Sequence, residues 1–129
     1  MRLILDTHAL LWALAEPDRL SQSARTHIVD RANELLVSAV SAWEISTKVR
    51  IGKLPHAEPL MQNYGRLVAQ LGATTLPISQ EHGLFAGALD WSHRDPFDRM
   101  LAAQAVLEAA SLVTFDRAFD DVEAVRTLW

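Results

Sequence analysis

The chain has 129 residues, half of them hydrophobic and 22% charged. That profile fits one globular domain with a sizeable core and excludes a disordered or fibrous chain. The formal charge is −4, with 16 acidic against 12 basic side chains, and there is no cysteine; this excludes an overall basic nucleic-acid-binding surface, a disulfide framework and thiolate zinc sites.

The N-terminus reads MRLILDTHALLWALAEP. Arg2 to Leu5 is expected to be a short buried strand, ended by Asp6, and Thr7 to Ala15 a helix stopped near Pro17. Asp6 and His8 interrupt the apolar run, and neither a cluster of basic residues nor a small-residue cleavage site accompanies it. No signal peptide is therefore expected, and no apolar run approaches membrane-spanning length, so a cytoplasmic location is the default.

Ser21 is a plausible cap for a helix reaching about Ala32. Glu34 to Val40 is expected as a second strand and Ser41 to Ile51 as a helix, with Gly52 in the position of a C-terminal glycine. LPHAEP is a loop, Leu60 to Leu71 a helix followed by Gly72, and Thr74 to Ile78 a third strand. Ser79 to about Leu89 is a helix capped by Ser79, with Glu81 near the capping-box position. A loop containing HRDPFD leads into a helix from Asp98 to Ala110, then a fourth strand, Ser111 to Thr114. A helical turn is expected over Arg117 to Asp121 and an edge strand over Val125 to Leu128. Alternating strands and helices predict a single α/β domain over residues 1–129, with a mostly parallel sheet and helices on both faces.

In such a sheet, ligands bind outside the carboxyl ends of the strands. Asp6 follows the first strand, Asp116 the fourth, Asp98 opens the apolar helix before it, and Glu44 lies near the start of the helix after ELLVSAV. Each acid alone has an ordinary structural explanation. Asp6 and Asp98 suit helix caps, Asp116 an Asx turn, and Glu44 an i,i+4 surface pair with Lys48. Together they would repel by about 3 kcal/mol per pair at ~5 Å and an effective dielectric near ~20. Cations or protons must offset that. Oxygen-only ligands suit Mg2+ or Mn2+. Lys48, Arg94, Arg99 and Arg117 lie beside these acids in sequence and are candidates for backbone phosphates.

The segments LILDTHALLW, SAVSAWEISTKVRIGKL, HRDPFDRMLAAQA and LVTFDRAF, in that order, resemble the PIN domain, and in particular VapC-type toxin ribonucleases of toxin–antitoxin pairs. The resemblance runs from Arg2 to Trp129. It implies a three-layer α/β/α sandwich and metal-dependent endonucleolytic cleavage of RNA with one or two Mg2+ or Mn2+ ions. The family's acidic quartet falls on Asp6, Glu44, Asp98 and Asp116, and its Thr or Ser near the fourth acid on Thr114, a candidate substrate contact. Asp6 and Asp98 are expected to bind metal directly. Glu44 and Asp116 bind it, hold its waters or help activate the nucleophile. Thr7 and Asp95 are expected to support the ligands from behind, Asp95 mainly as a structural group that salt-bridges Arg94 or Arg99. The resemblance also implies a small antitoxin that covers the site, and a homodimer.

His8 is expected on a helix face and His93 in a loop or against substrate. Trp12, Trp43 and the apolar face of Thr7 to Ala15 are candidate partner surfaces, with core the preferred place for Trp43. Three alternatives compete. A receiver-like domain would carry paired acids after its first strand and a late lysine, where this chain has D-T-H and SLVTFDR. A phosphatase-like domain would carry D-x-D, where residue 8 is histidine. A PIN-like binding protein without catalysis is the third.

Overall fold

The computed structural model describes residues 1–129. Five strands, β1 (Arg2–Leu5), β2 (Glu34–Ser38), β3 (Thr74–Leu76), β4 (Ser111–Val113) and β5 (Arg126–Leu128), form one sheet in the order β3-β2-β1-β4-β5. Every pairing is parallel, so the sheet is parallel throughout. A receiver-like sheet has the order 2-1-3-4-5, so this topology removes that alternative.

Parallel strands need crossover connections. The helices α1 (Thr7–Ala15), α2 (Gln22–Val29), α3 (Ala39–Arg50), α4 (Glu58–Met61), α5 (Tyr64–Gln70), α6 (Gln80–Ala88) and α7 (Pro96–Leu107) lie between them. Successive side chains of a strand point to opposite faces, and this divides the core in two. Leu3, Leu5, Leu35, Val37 and Val113 pack with Leu10, Ile28, Ile45 and Val68 from α1, α2, α3 and α5. Ile4, Leu36 and Leu112 pack on the other side with Phe97, Leu101 and Ala105 from α7 and with Phe119. Helix α6 packs against α7. The expected three-layer α/β/α sandwich is what forms.

Boundaries differ where a polar residue offers a cap. Glu34 to Val40 reads as one apolar run, but Ser38 Oγ accepts the Val40 N–H at 3.0 Å and starts α3 two residues early. The expected Leu60 to Leu71 helix is two helices, α4 and α5, separated at Gln62–Asn63. At α6 the capping box forms as expected with Ser79, but its reciprocal partner is His82, not Glu81. Helix α7 begins at Pro96, not Asp98. Asp95 is its cap, accepting from the N–H groups of Phe97 (2.8 Å) and Asp98 (3.2 Å). Proline at the first helical position loses no hydrogen bond, because that N–H has no partner in a helix.

Candidate active site

In a sheet of this order the strand sequence reverses between β1 and β4, and the crevice beyond their carboxyl ends is the natural ligand site. Asp6 leaves β1 there. Its backbone N–H donates to Val113 O at 3.0 Å and extends the β1–β4 ladder by one bond. Its carboxylate Oδ1 accepts the Ala9 N–H at 2.7 Å and caps α1. The capping role expected of Asp6 is therefore real, and it fixes the carboxylate rather than replacing a role at the crevice.

Helix α3 brings Glu44 to the same place from the β2 side. Glu44 is 3% exposed, so it is not half of a solvated surface pair. Thr7 Oγ1 donates to Glu44 Oε1, and Lys48 Nζ to Glu44 Oε2. Thr7 is thus held between Glu44 and Ser41, whose Oγ lies 3.2 Å from Thr7 Oγ1. For Lys48, burial works to lower the pKa, but the Glu44 hydrogen bond and the charges of Glu44, Asp95 and Asp98 outweigh it and raise the value.

The α6–α7 loop is built around Arg99. Its guanidinium donates to the carbonyls of Ala86 (2.9 Å), Gly87 (3.4 Å), Leu89 (2.7 Å), Trp91 (2.8 Å) and His93 (2.9 Å). A guanidinium has five N–H donors, and each has a carbonyl. The expectation that Arg99 grips phosphate is corrected on this ground: its donors are spent on the loop. The loop carries His93, whose Nε2 lies 2.7 Å from Asp98 Oδ2. Ligand atoms of His93, Asp95 and Asp98 lie within 4.8 Å of one another. Asp95 caps α7, the structural role expected of it, and makes no salt bridge to Arg94 or Arg99. The His93–Asp98 bond was not foreseen, although the spacing H-x-D-P-x-D, with its proline-started helix, was the available signal.

Asp116 closes the ring from β4. Thr114 Oγ1 accepts the Asp116 N–H at 3.0 Å, and Asp116 Oδ1 accepts the Ala118 N–H at 2.9 Å. Thr114 is buried beneath the turn, where its hydroxyl also bonds the Asp6 carboxylate. Arg94 and Arg117 are exposed, the latter 3.6 Å from Asp120. Trp43, expected in the core, is 58% exposed and lies edge-on to Phe97.

The result is a cleft of about 280 Å3 lined by Asp6, Thr7, His8, Glu44, Lys48, His93, Asp95, Asp98 and Asp116, with no hydrophobic residue. All four acids expected at the site line it, with Asp95 as a fifth carboxylate and Lys48 as the one lysine. Burial pushes the Asp6 carboxyl up to about 6, against hydrogen bonds from Thr114 and the Ala9 N–H, and the charges of Glu44 and Asp116 add to the rise. Asp98 is also pushed up to about 6, first by burial and then by Asp95 and Glu44, against its bond to His93. These carboxyls gain from any positive partner. Buried oxygen donors with this electrostatic need fit a hard divalent cation.

Comparison with known proteins identifies the family and the fold. Residues 3–125 match the PIN domain family. The chain is 33% identical over 115 residues to Ribonuclease VapC22 of Mycobacterium tuberculosis, covering 88% of this chain and 86% of that protein. Its backbone is similar to VapBC2 from Rickettsia felis bound to a DNA fragment from their promoter, with a TM-score of 0.72, 18% identity, and coverage of 99% and 98% of the two chains. It is also similar to a toxin–antitoxin complex from Klebsiella pneumoniae, with a TM-score of 0.63, 16% identity, and coverage of 95% and 94%. The phosphatase-like alternative falls with these matches. From its fold, its cleft and its sequence, the chain belongs to the PIN-domain family and is a member of the VapC type.

Proposed function

We propose that this protein is an Mg2+- or Mn2+-dependent endoribonuclease and the toxin of a toxin–antitoxin pair. The observation that carries the reading is the cleft itself, which gathers Asp6, Glu44, Asp98 and Asp116 at the β1–β4 switch point with no apolar lining. The name of the VapC22 relative supports RNA as substrate.

Asp6 and Asp98 hold one or two cations directly, with Glu44 and Asp116 completing the set. A bound cation supplies charge neutralisation at the scissile phosphate and lowers the pKa of water. The chain's own part is positioning. The Ala9 N–H fixes the Asp6 carboxylate and His93 that of Asp98. Thr7 and Lys48 hold Glu44. Lys48 also lines the cleft, where its ammonium meets a phosphate oxygen. Arg94 and Arg117, exposed beside Asp95 and Asp116, take the flanking backbone phosphates.

The partner is a small antitoxin whose segment covers the cleft, and the toxin is a cytoplasmic homodimer. The toxin–antitoxin complex among the structural relatives supports such a partner. No helix is long and apolar enough to cross a membrane.

The test is incubation of the purified protein, freed of any partner, with transfer, ribosomal and messenger RNAs in Mg2+ or Mn2+. Discrete cuts that disappear with chelator and with Asp98→Asn are the expected result. No cuts across the panel, together with no rise in thermal stability at millimolar Mn2+, would favour the non-catalytic binding protein.

A further inference from the structure

Beside the cleft the surface carries an aromatic triad in which Trp12 leans on the core and the other two rings are exposed. Trp12 from α1, Phe115 after β4 and Trp129 after β5 meet with ring centroids 5.3 Å (Trp12–Phe115), 5.8 Å (Trp12–Trp129) and 5.8 Å (Phe115–Trp129) apart. Phe115 is 53% exposed and Trp129 37%. Phe115 sits between Thr114 and Asp116, whose Oγ1 and N–H are bonded to each other, and Asp116 is bonded onward to Ala118. The turn that fixes an acid of the cleft therefore also carries an exposed phenyl ring.

Trp12 and Phe115 of the triad open onto a hollow of about 650 Å3, lined also by His8, Arg19, Asp116 and Arg117. That volume lies within the ~300–1,000 Å3 usual for small-ligand sites. His8 and Asp116 line both this hollow and the acidic cleft, so the two adjoin. Two cations border it. The Arg19 guanidinium carbon stands 4.7 Å from the Trp12 ring centroid, and the Arg117 side chain is 92% exposed.

We infer that Phe115, backed by Trp12 and Trp129, is a stacking platform for an unpaired RNA base next to the scissile phosphate, with Arg19 and Arg117 taking the adjoining phosphates. This rests on the ribonuclease reading of the cleft. Without its cation the acidic cleft repels a polyanion, so contacts outside it must add to the hold on substrate. Exposed aromatic faces beside arginines do this for single strands, through stacking that tolerates any base and through charge. A base inside a duplex offers no free face. The site thus selects single-stranded segments.

The test uses Asp98→Asn protein in chelator, where no cleavage intervenes, and measures anisotropy of a short labelled single-stranded RNA, of the same oligomer made abasic, and of its duplex. Phe115→Ala is expected to weaken single-strand binding by about tenfold. Trp129→Ala shifts it in the same direction, and Phe115→Tyr retains affinity. The abasic oligomer and the duplex bind parent and Phe115→Ala alike. Thermal melting confirms that the variants fold. Unchanged single-strand affinity in Phe115→Ala overturns the proposal. Equal loss for the abasic oligomer also overturns it. Chelator-sensitive cleavage by wild type with no effect of Phe115→Ala on affinity sinks the platform alone. A wild-type protein that neither binds nor cuts RNA sinks the ribonuclease reading beneath it.

Discussion

His93 Nε2 stands 2.7 Å from Asp98 Oδ2, while the His93 carbonyl accepts from the Arg99 guanidinium at 2.9 Å. One residue thus ties an acid of the cleft to the clamp that shapes the α6–α7 loop. A group that orients a metal-binding carboxylate in this way is worth about 10–100-fold in metal affinity or activity. His93→Gln is expected to weaken Mn2+ binding and RNA cleavage within that range while leaving the fold intact. Calorimetric Mn2+ titration beside cleavage rates checks it. Unaltered Mn2+ affinity would show that Asp98 needs no such orientation.

Arg99 presents a different kind of dependence. Lysine has three donors on one nitrogen and cannot span carbonyls spread over residues 86–93. A fully buried carbonyl left without a partner costs about 1–3 kcal/mol; these are part-buried, and exposed at Gly87, so water offsets some of that cost. Arg99→Lys is expected to destabilise the protein by roughly 2–4 kcal/mol on that basis. Urea denaturation gives the size, and faster amide exchange confined first to the α6–α7 loop gives the place. A phosphate-binding arginine would instead lower RNA affinity at unchanged stability.

Glu44 and Lys48 form a pair in which the acid is buried and the lysine half-buried. Removing one partner of a buried pair strands the other charge, at a typical ~3–5 kcal/mol. Lys48→Met is expected to fall toward the lower end, because Thr7 still donates to Glu44. It should also enlarge the rise in melting temperature that Mn2+ produces, since the freed carboxylate takes the cation. Melting curves with and without Mn2+ decide both. A smaller Mn2+ effect than in wild type would contradict this account of Glu44.

Stability should depend on pH in a specified direction when no cation is bound. The carboxyls of Asp6 and Asp98 titrate at about 6 in the folded chain, against an ordinary value of 3.8. The folded state therefore binds more protons than the unfolded state between those values, and stability falls as pH rises through about 6. The stabilising contribution is complete only below the unfolded value and is gone above the folded one. For the buried Asp6 alone the change is on the order of 2–3 kcal/mol. In chelator, the melting temperature is expected to drop from pH 5 to pH 7.5. Mn2+ should restore it most at the higher pH. A chelated protein that gains stability over this interval would refute the electrostatic picture of the cleft.

The positions of the acids were legible because strand ends are. Asp6 and Asp116 each follow a short apolar run, and in a parallel sheet such residues must share one edge. The layers were legible for the same reason, since alternation of strands and helices leaves few topologies. Other features were hidden by competition between equivalent local signals. Asp95 and Asp98 are both good caps around Pro96, and only the preference of proline for the first helical position chooses Asp95. Ser38 sits inside a run that reads as strand to Val40, and its hydroxyl bond to the Val40 N–H ends the strand. Arg99 reads as a phosphate ligand beside acids, whereas the carbonyls that claim it belong to residues up to 13 positions away. Trp43 reads as core by hydrophobicity, but the helical turn that buries Glu44 and Ile45 leaves it at the surface.

The most direct measurement of the central claim is single-turnover cleavage of one susceptible RNA as Mn2+ is titrated, with thermal melting of the same protein samples. If the four acids hold the cation that cleavage requires, the rate and the melting temperature rise together over one range of Mn2+ concentration, and Asp98→Asn loses both. Cleavage that persists in chelator, or a melting temperature indifferent to Mn2+ while cleavage responds, would contradict it.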